Sequence, residues 1–184
     1  MPLKALERTV IESRYWATQR KKEVGALVSG LDLRDKRILN VGAGRTNLTD
    51  ELLGQPAGEI VNVDIEHFPN LDLLASATDL PFGNDEFDVV VFLRVLHHIN
   101  DFRRALEEAL RCTKPGGLIL LSEPYRFMVK LTNLCGLASH PPNTITQRDI
   151  EQFVHTHRLE IRRKWARIFL YYFGYQIQVT SQRK

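Results

Sequence analysis

The sequence predicts an α/β domain built on a mostly parallel sheet, and three observations carry that prediction. Short apolar runs alternate with segments of helical period. One run, Phe87-Asp88-Val89-Val90-Val91-Phe92-Leu93, is apolar almost throughout, as expected of a strand covered on both faces. The chain then ends differently, on two strand-like runs joined so closely that they must be antiparallel. With 184 residues, 43% of them hydrophobic, the chain suits a single domain over residues 1–184 with a substantial core.

Leu3, Leu6 and Val10, and then Val24, Leu27, Val28 and Leu31, have helical spacing, so residues 1–36 form a helical N-terminal segment. Ile38, Leu39 and Val41 make the first strand, and Gly42-Ala43-Gly44 a turn that can approach a ligand closely. Leu48, Leu52 and Leu53 follow at roughly helical spacing, with Thr46, Asn47 or Thr49 available as N-cap. A helix N-terminus aimed at the turn would offer an anion its unpaired N–H groups. Glu59 to Asp64 is a second strand closing on a carboxylate, and Leu71 to Ala75 a short third one. The brief link containing Pro69 leaves little room for a crossover helix.

After the Phe87–Leu93 strand, Asp101 can cap a helix whose face is Phe102, Ala105, Leu106, Ala109 and Leu110. Lys114-Pro115-Gly116-Gly117 ends it, and Leu118 to Leu121 is a fifth strand. Residues 124–146 then read as an insertion on the acceptor side, with Phe127, Met128, Leu131, Leu134 and Leu137 preceding His140-Pro141-Pro142 and joined by Tyr15 and Trp16. Gln147 to His157 is a helix. Ile161 to Leu170 and Tyr175 to Thr180 are the closing strands around Gly174, the second with Tyr175, Ile177 and Val179 inward and Gln176 and Gln178 outward.

Composition excludes several classes. The formal charge is +3, and the basic clusters Arg20-Lys21-Lys22 and Arg162-Arg163-Lys164 lack the interleaved aromatics of a nucleic-acid surface. Cys112 and Cys135 have no metal or disulfide spacing, and His155 and His157 point to different sides of a helix, so no metal site is expected. No run reaches the ~20 apolar residues of a membrane span, and residues 1–30 are too charged for a secretory signal. The expected location is cytoplasmic.

The turn itself fits two ligand classes incompletely. A dinucleotide pattern, G-x-G-x-x-G, needs glycine where Asn47 stands. A methyl-donor pattern, G-x-G-x-G, needs it where Thr46 stands.

The ordered set "ILNVGAG", "VNVDI", "ATDLPFGNDEFDVVV", "VLHHIND" and "KPGGLILLSEP" favours the methyl donor, since together these stretches resemble the class I S-adenosylmethionine-dependent methyltransferases. They are most similar to the small-molecule branch that includes the ubiquinone and menaquinone biosynthesis enzymes, and cover Ile38 to Pro124. The resemblance implies a Rossmann-like, doubly wound, mostly parallel seven-stranded sheet with an antiparallel last strand. It implies S-adenosyl-L-methionine as cofactor and a small-molecule methyl acceptor as partner. By position, Asn40, Gly42, Ala43 and Gly44 would lie against the methionine part, and Asp64 would take the ribose hydroxyls with Ile65 beside it. Thr78, Asp79 and Leu80 would meet the adenine, Asp79 accepting from its amino group, with Leu93 also lining the donor site.

Two positions depart from the family. Asn40 stands where Asp is usual and lacks its charge, which predicts weaker attraction for the donor's ammonium; Thr46 replaces a frequent glycine. His97 and His98, at the carboxyl edge where open α/β sheets bind ligands, are the candidate bases, with Tyr125 and Glu123 as further candidates. No Asn/Asp-Pro-Pro-Tyr follows the fourth strand, which argues against methylating nucleic-acid amines. Two alternatives stand beside the methyltransferase: a donor-binding protein without catalysis, and an NAD-dependent oxidoreductase. Asp64, twenty positions after Gly44, fits either nucleotide.

Overall fold

Alternation along each central strand divides the interior into two cores. Leu39, Val41, Val90, Phe92, Ile119 and Leu121 face one side of the sheet, while Ile38, Val89, Val91, Leu118 and Leu120 face the other. Both faces therefore need helices. A computed structural model shows them, describing residues 14–45, 47–69, 71–136, 145–167 and 172–180.

The elements run α1 (Arg14–Leu27), β1 (Arg37–Val41), α2 (Asp50–Leu53), β2 (Glu59–Asp64), β3 (Leu73–Leu74), β4 (Phe87–Leu93), a 3₁₀ turn (Leu96–His98) and α3 (Phe102–Cys112). They continue with β5 (Thr113–Pro124), α4 (Arg126–Leu134), α5 (Gln147–Thr156), β6 (Glu160–Arg167) and β7 (Tyr172–Gln178). One seven-stranded sheet has the order β3-β2-β1-β4-β5-β7-β6. The pairs among β1 to β5 are parallel, and β7 is antiparallel to both β5 and β6, as the sequence implied. The strand order reverses between β1 and β4, whose carboxyl ends border the crevice where such sheets bind ligands.

Helix α3 buries Phe102, Ala105, Leu106 and Ala109 against the first core, beside Ile150, Phe153 and Val154 of α5. Asp101 caps α3 by accepting from the Arg104 N–H, and Thr146 with Asp149 forms a capping box on α5. On the other face, Val24 and Leu27 of α1 pack with Leu48 and Leu53.

The structure corrects several sequence expectations. The helix after the glycine turn is only four residues long and begins at Asp50, capped by Thr49 and stopped by Gly54 in the left-handed region, so it aims no substantial dipole at the turn. The third strand shrinks to Leu73–Leu74. Gly174 lies within β7 rather than at the hairpin turn, because the Trp165 ring fills the place of its side chain: a Cβ there would stand 2.3 Å from the ring. Gln176 is buried, not outward, since the end of α1 covers that face and its Nε2 donates to the carbonyls of Leu27 and Ser29 at 2.8 and 3.1 Å. The expectations for residues 1–13, Thr46, Leu137, His140-Pro141-Pro142 and residues 168–170, and for the side chains of Tyr15 and Trp16, fall outside what is described.

Candidate active site

The glycine turn at the end of β1 uses its two glycines differently. Gly42 has φ +72°, and a Cβ on it would lie 2.1 Å from a Val95 methyl, so its missing side chain makes room for the turn after β4. Gly44, at φ +57°, has no atom within 4 Å of the place its Cβ would take. The open side of the turn is at Gly44.

Asp64 closes β2 beside it. Its Oδ2 accepts the Gly44 N–H at 2.8 Å and its Oδ1 the Glu66 N–H at 2.9 Å. Each carboxylate oxygen retains a second lone pair, a pair of acceptors suited to a vicinal diol. Ile65 follows with 70% of its surface exposed, an apolar side chain next to that acceptor pair.

The turn's amides are otherwise spent. Gly42 and Ala43 both donate to the Val63 carbonyl, at 2.8 and 3.0 Å. With Gly44 bound to Asp64 and the following helix so short, a pyrophosphate would find none of these three N–H groups available. That argues against a dinucleotide.

Asn40 is buried and its Nδ2 donates to Asn62 Oδ1 at 2.9 Å. Asn62 has a fixed orientation, since the same Oδ1 accepts the Leu48 N–H at 2.8 Å while its Nδ2 faces Asp72 Oδ2 at 3.3 Å. The neutral amide at position 40 thus joins β1, β2 and the loop before α2. Nothing in the sequence pattern signalled Asn62.

Thr78 is half-buried with its hydroxyl 2.9 Å from that of Ser76, Asp79 is exposed and Leu80 buried. This loop is clamped to α3. The Leu80 N–H donates to Glu108 Oε2 at 3.0 Å, Arg111 donates to the carbonyls of Leu80 and Phe82 at 3.0 and 2.7 Å, and Arg104 donates to the Thr78 carbonyl at 3.3 Å. The Arg111 hydrogen bond, aided by the Leu80 N–H, holds the buried Glu108 carboxyl below its ordinary range despite desolvation. The i, i+3 and i, i+4 spacing of Arg104, Glu108 and Arg111 looks like ordinary helix pairing in the sequence.

The candidate bases separate. His97 is buried, with 6% exposure, and its Nδ1 lies 2.6 Å from Glu123 Oε2; His98 is exposed, its ring centroid 4.1 Å from that of His97. Glu123, wholly buried near the end of β5, also accepts the N–H groups of Val95 and Leu96 at 2.9 and 2.8 Å. A carboxylate receiving those donors fixes the His97 proton on Nδ1 and makes Nε2 the basic nitrogen. Glu123 therefore holds the whole turn that presses Val95 onto Gly42. Tyr125, just beyond β5, is half-buried against Phe173 with ring centroids 5.4 Å apart. Leu93 is half-buried at the end of β4.

Helix α1 reaches the same edge. Its buried Glu23 accepts from the Ser122 hydroxyl at 2.5 Å and forms an ion pair with Arg94, which holds a left-handed backbone at φ 55°. Burial, and then Arg94, lower the Arg20 pKa. In the sequence Glu23 directly follows the basic cluster Arg20-Lys21-Lys22, with no local sign of its partners.

Residues 14–169 match the family model described as a methyltransferase domain. The chain belongs to the methyltransferase domain family. Among curated relatives of this methyltransferase chain, the demethylmenaquinone methyltransferase of Renibacterium salmoninarum is 31% identical over 122 residues, covering 61% of the chain and 48% of that protein. The mitochondrial arginine-hydroxylase NDUFAF5 of Mus musculus is 34% identical over 114 residues, covering 54% of the chain and 33% of that protein. The matched stretches thus span half or less of these relatives' own length. In three dimensions the chain is similar to the N-methyltransferase NodS from Bradyrhizobium japonicum, solved with S-adenosyl-L-homocysteine, at a TM-score of 0.68 and 11% identity over 92% of this chain and 90% of that one. At that identity the likeness shows the fold.

Proposed function

We propose that this chain transfers the methyl group of S-adenosyl-L-methionine to a small apolar acceptor. The observation that carries the reading is the pairing of Asp64 with Gly44: an acid already aimed by the turn, with one lone pair left on each oxygen, beside open space and an exposed Ile65. The residues fit the donor. Asp64 takes the ribose hydroxyls, Ile65, Leu80 and Leu93 line the adenine side, and Asp79 with Thr78 meets its polar edge. Asn40 and the Gly42-Ala43-Gly44 backbone border the methionine part.

Bound, the donor supplies an electrophilic methyl group on a sulfonium. The chain has to align the acceptor with it and exclude water. In this reading Nε2 of His97, oriented by Glu123, removes the proton of an acceptor hydroxyl, and His98 and Tyr125 border the acceptor. In the same reading the segment that leaves β5, residues 124–136, borders the acceptor. The name of the Renibacterium relative supports a quinone-type acceptor.

A second reading, donor binding without transfer, draws on the neutral Asn40. Calorimetric titration with S-adenosylmethionine and with NAD, followed by methyl-label transfer to a panel of hydroquinones and catechols, separates the readings. Donor binding with label transfer supports the proposal. Binding without transfer to any member favours the second reading, and preference for NAD removes both.

A further inference from the structure

Helix α4 carries an apolar stripe that the fold leaves uncovered. Phe127, Leu131 and Leu134 are 70%, 39% and 86% exposed, at the i, i+4, i+7 spacing that places them on one face, while Val129 is buried toward the core. Large exposed apolar side chains are few among the described residues, and these three fall on one nine-residue helix. Exposed Arg126 and Lys130 flank the stripe.

Charge says what the stripe faces. From Tyr125 to Arg148 the sequence has no Asp or Glu, although the whole chain has 22, and the same stretch holds Arg126, Lys130 and Arg148. A second copy meeting this face symmetrically would set like charges against one another. Three side chains on a short helix also fall well below the ~800 Å² per partner of a stable protein interface. Apolar residues on one face with basic residues beside them are instead the pattern of a helix lying in a lipid interface, where apolar burial and attraction to anionic headgroups add. No helix among the described residues is long and apolar enough to cross a membrane.

We propose that α4 docks this protein on an anionic lipid surface, with Phe127, Leu131 and Leu134 entering the headgroup boundary and Arg126 and Lys130 contacting the headgroups. This goes beyond the methyl-transfer reading and does not depend on it. The test is co-sedimentation of the full chain with vesicles of equal parts phosphatidylglycerol and phosphatidylcholine, and with phosphatidylcholine alone. Two exposed-residue variants are compared, Phe127→Ser with Leu134→Ser and Arg126→Gln with Lys130→Gln, each checked for folding by circular dichroism. The unmodified chain should partition to the anionic vesicles about tenfold more strongly than to the neutral ones, and each variant should lose about tenfold. Absence of binding to anionic vesicles overturns the proposal. So does full retention by the Phe127/Leu134 variant, which would reduce the effect to net charge, or a solution dimer that the same variant abolishes, which would assign the face to a second copy.

Discussion

Replacing Glu123 with Gln keeps the shape of the side chain and removes its charge, and the surroundings make the consequence specific. The Gln carbonyl can still accept from Val95 and Leu96, but its NH₂ then faces His97 Nδ1, which is 2.6 Å from the carboxylate in the native protein. Two donors cannot share that contact, so the imidazole must move its proton to Nε2 and lose the nitrogen that the methyl-transfer proposal uses as its base. Charge-assisted hydrogen bonds become neutral ones, which should lower stability by about 1–3 kcal/mol. Loss of a general base costs ~10²–10⁴-fold in turnover. The assay pairs single-turnover methyl transfer with calorimetric donor binding for Glu123→Gln, His97→Asn and the double variant. The expected pattern is a large fall in kcat, donor affinity within a few-fold, and a double variant no worse than His97→Asn alone. Turnover within threefold of native in Glu123→Gln would refute the reasoning and leave Glu123 a purely structural anchor.

Glu108→Gln should destabilise the fold by about 1–3 kcal/mol at neutral pH. Because Arg111 depresses the Glu108 pKa below its ordinary 4.5, this contribution is present above that value and is lost as pH falls through the folded value, so urea unfolding should show the gap narrowing in acid. Gly42→Ala should disrupt the fold, since its Cβ meets Val95 at 2.1 Å, whereas Gly44→Ala should cost only ~1 kcal/mol of stability and weaken donor binding by occupying the open side. Thermal melts and titrations of the two variants check this contrast. Asn40→Asp sets a carboxylate against the Asn62 carbonyl oxygen, whose direction Leu48 fixes at 2.8 Å. It should destabilise by about 1–3 kcal/mol, and tighter donor binding in a fully stable variant would show that the amide network is dispensable.

What the sequence made legible follows from the range of the forces involved. The sheet was readable because apolar runs such as Val89-Val90-Val91 must be covered on both faces wherever they occur. Asp64 was readable because a strand-end acid and a glycine turn are each local signals, and the structure adds only their 2.8 Å hydrogen bond. The supports of the site were not readable. Glu123 was legible as a candidate base, but its reach back 26 residues to His97 was not, and Glu108, 28 residues from Leu80, and Glu23, 99 residues from Ser122, gave no local sign of their partners. The helix after the glycine turn failed for a different reason. Leu48 has helical spacing with Leu52, yet it is buried before the helix starts, its N–H taken by Asn62.

The most direct test of the account is the affinity of the native chain and of Asp64→Ala for S-adenosylmethionine, measured by calorimetry on proteins shown to be folded. Loss of two charge-assisted hydrogen bonds to the ribose should weaken binding by ~2 kcal/mol, roughly thirtyfold. Donor affinity unchanged by that substitution, or no measurable binding by the native chain, would contradict the account.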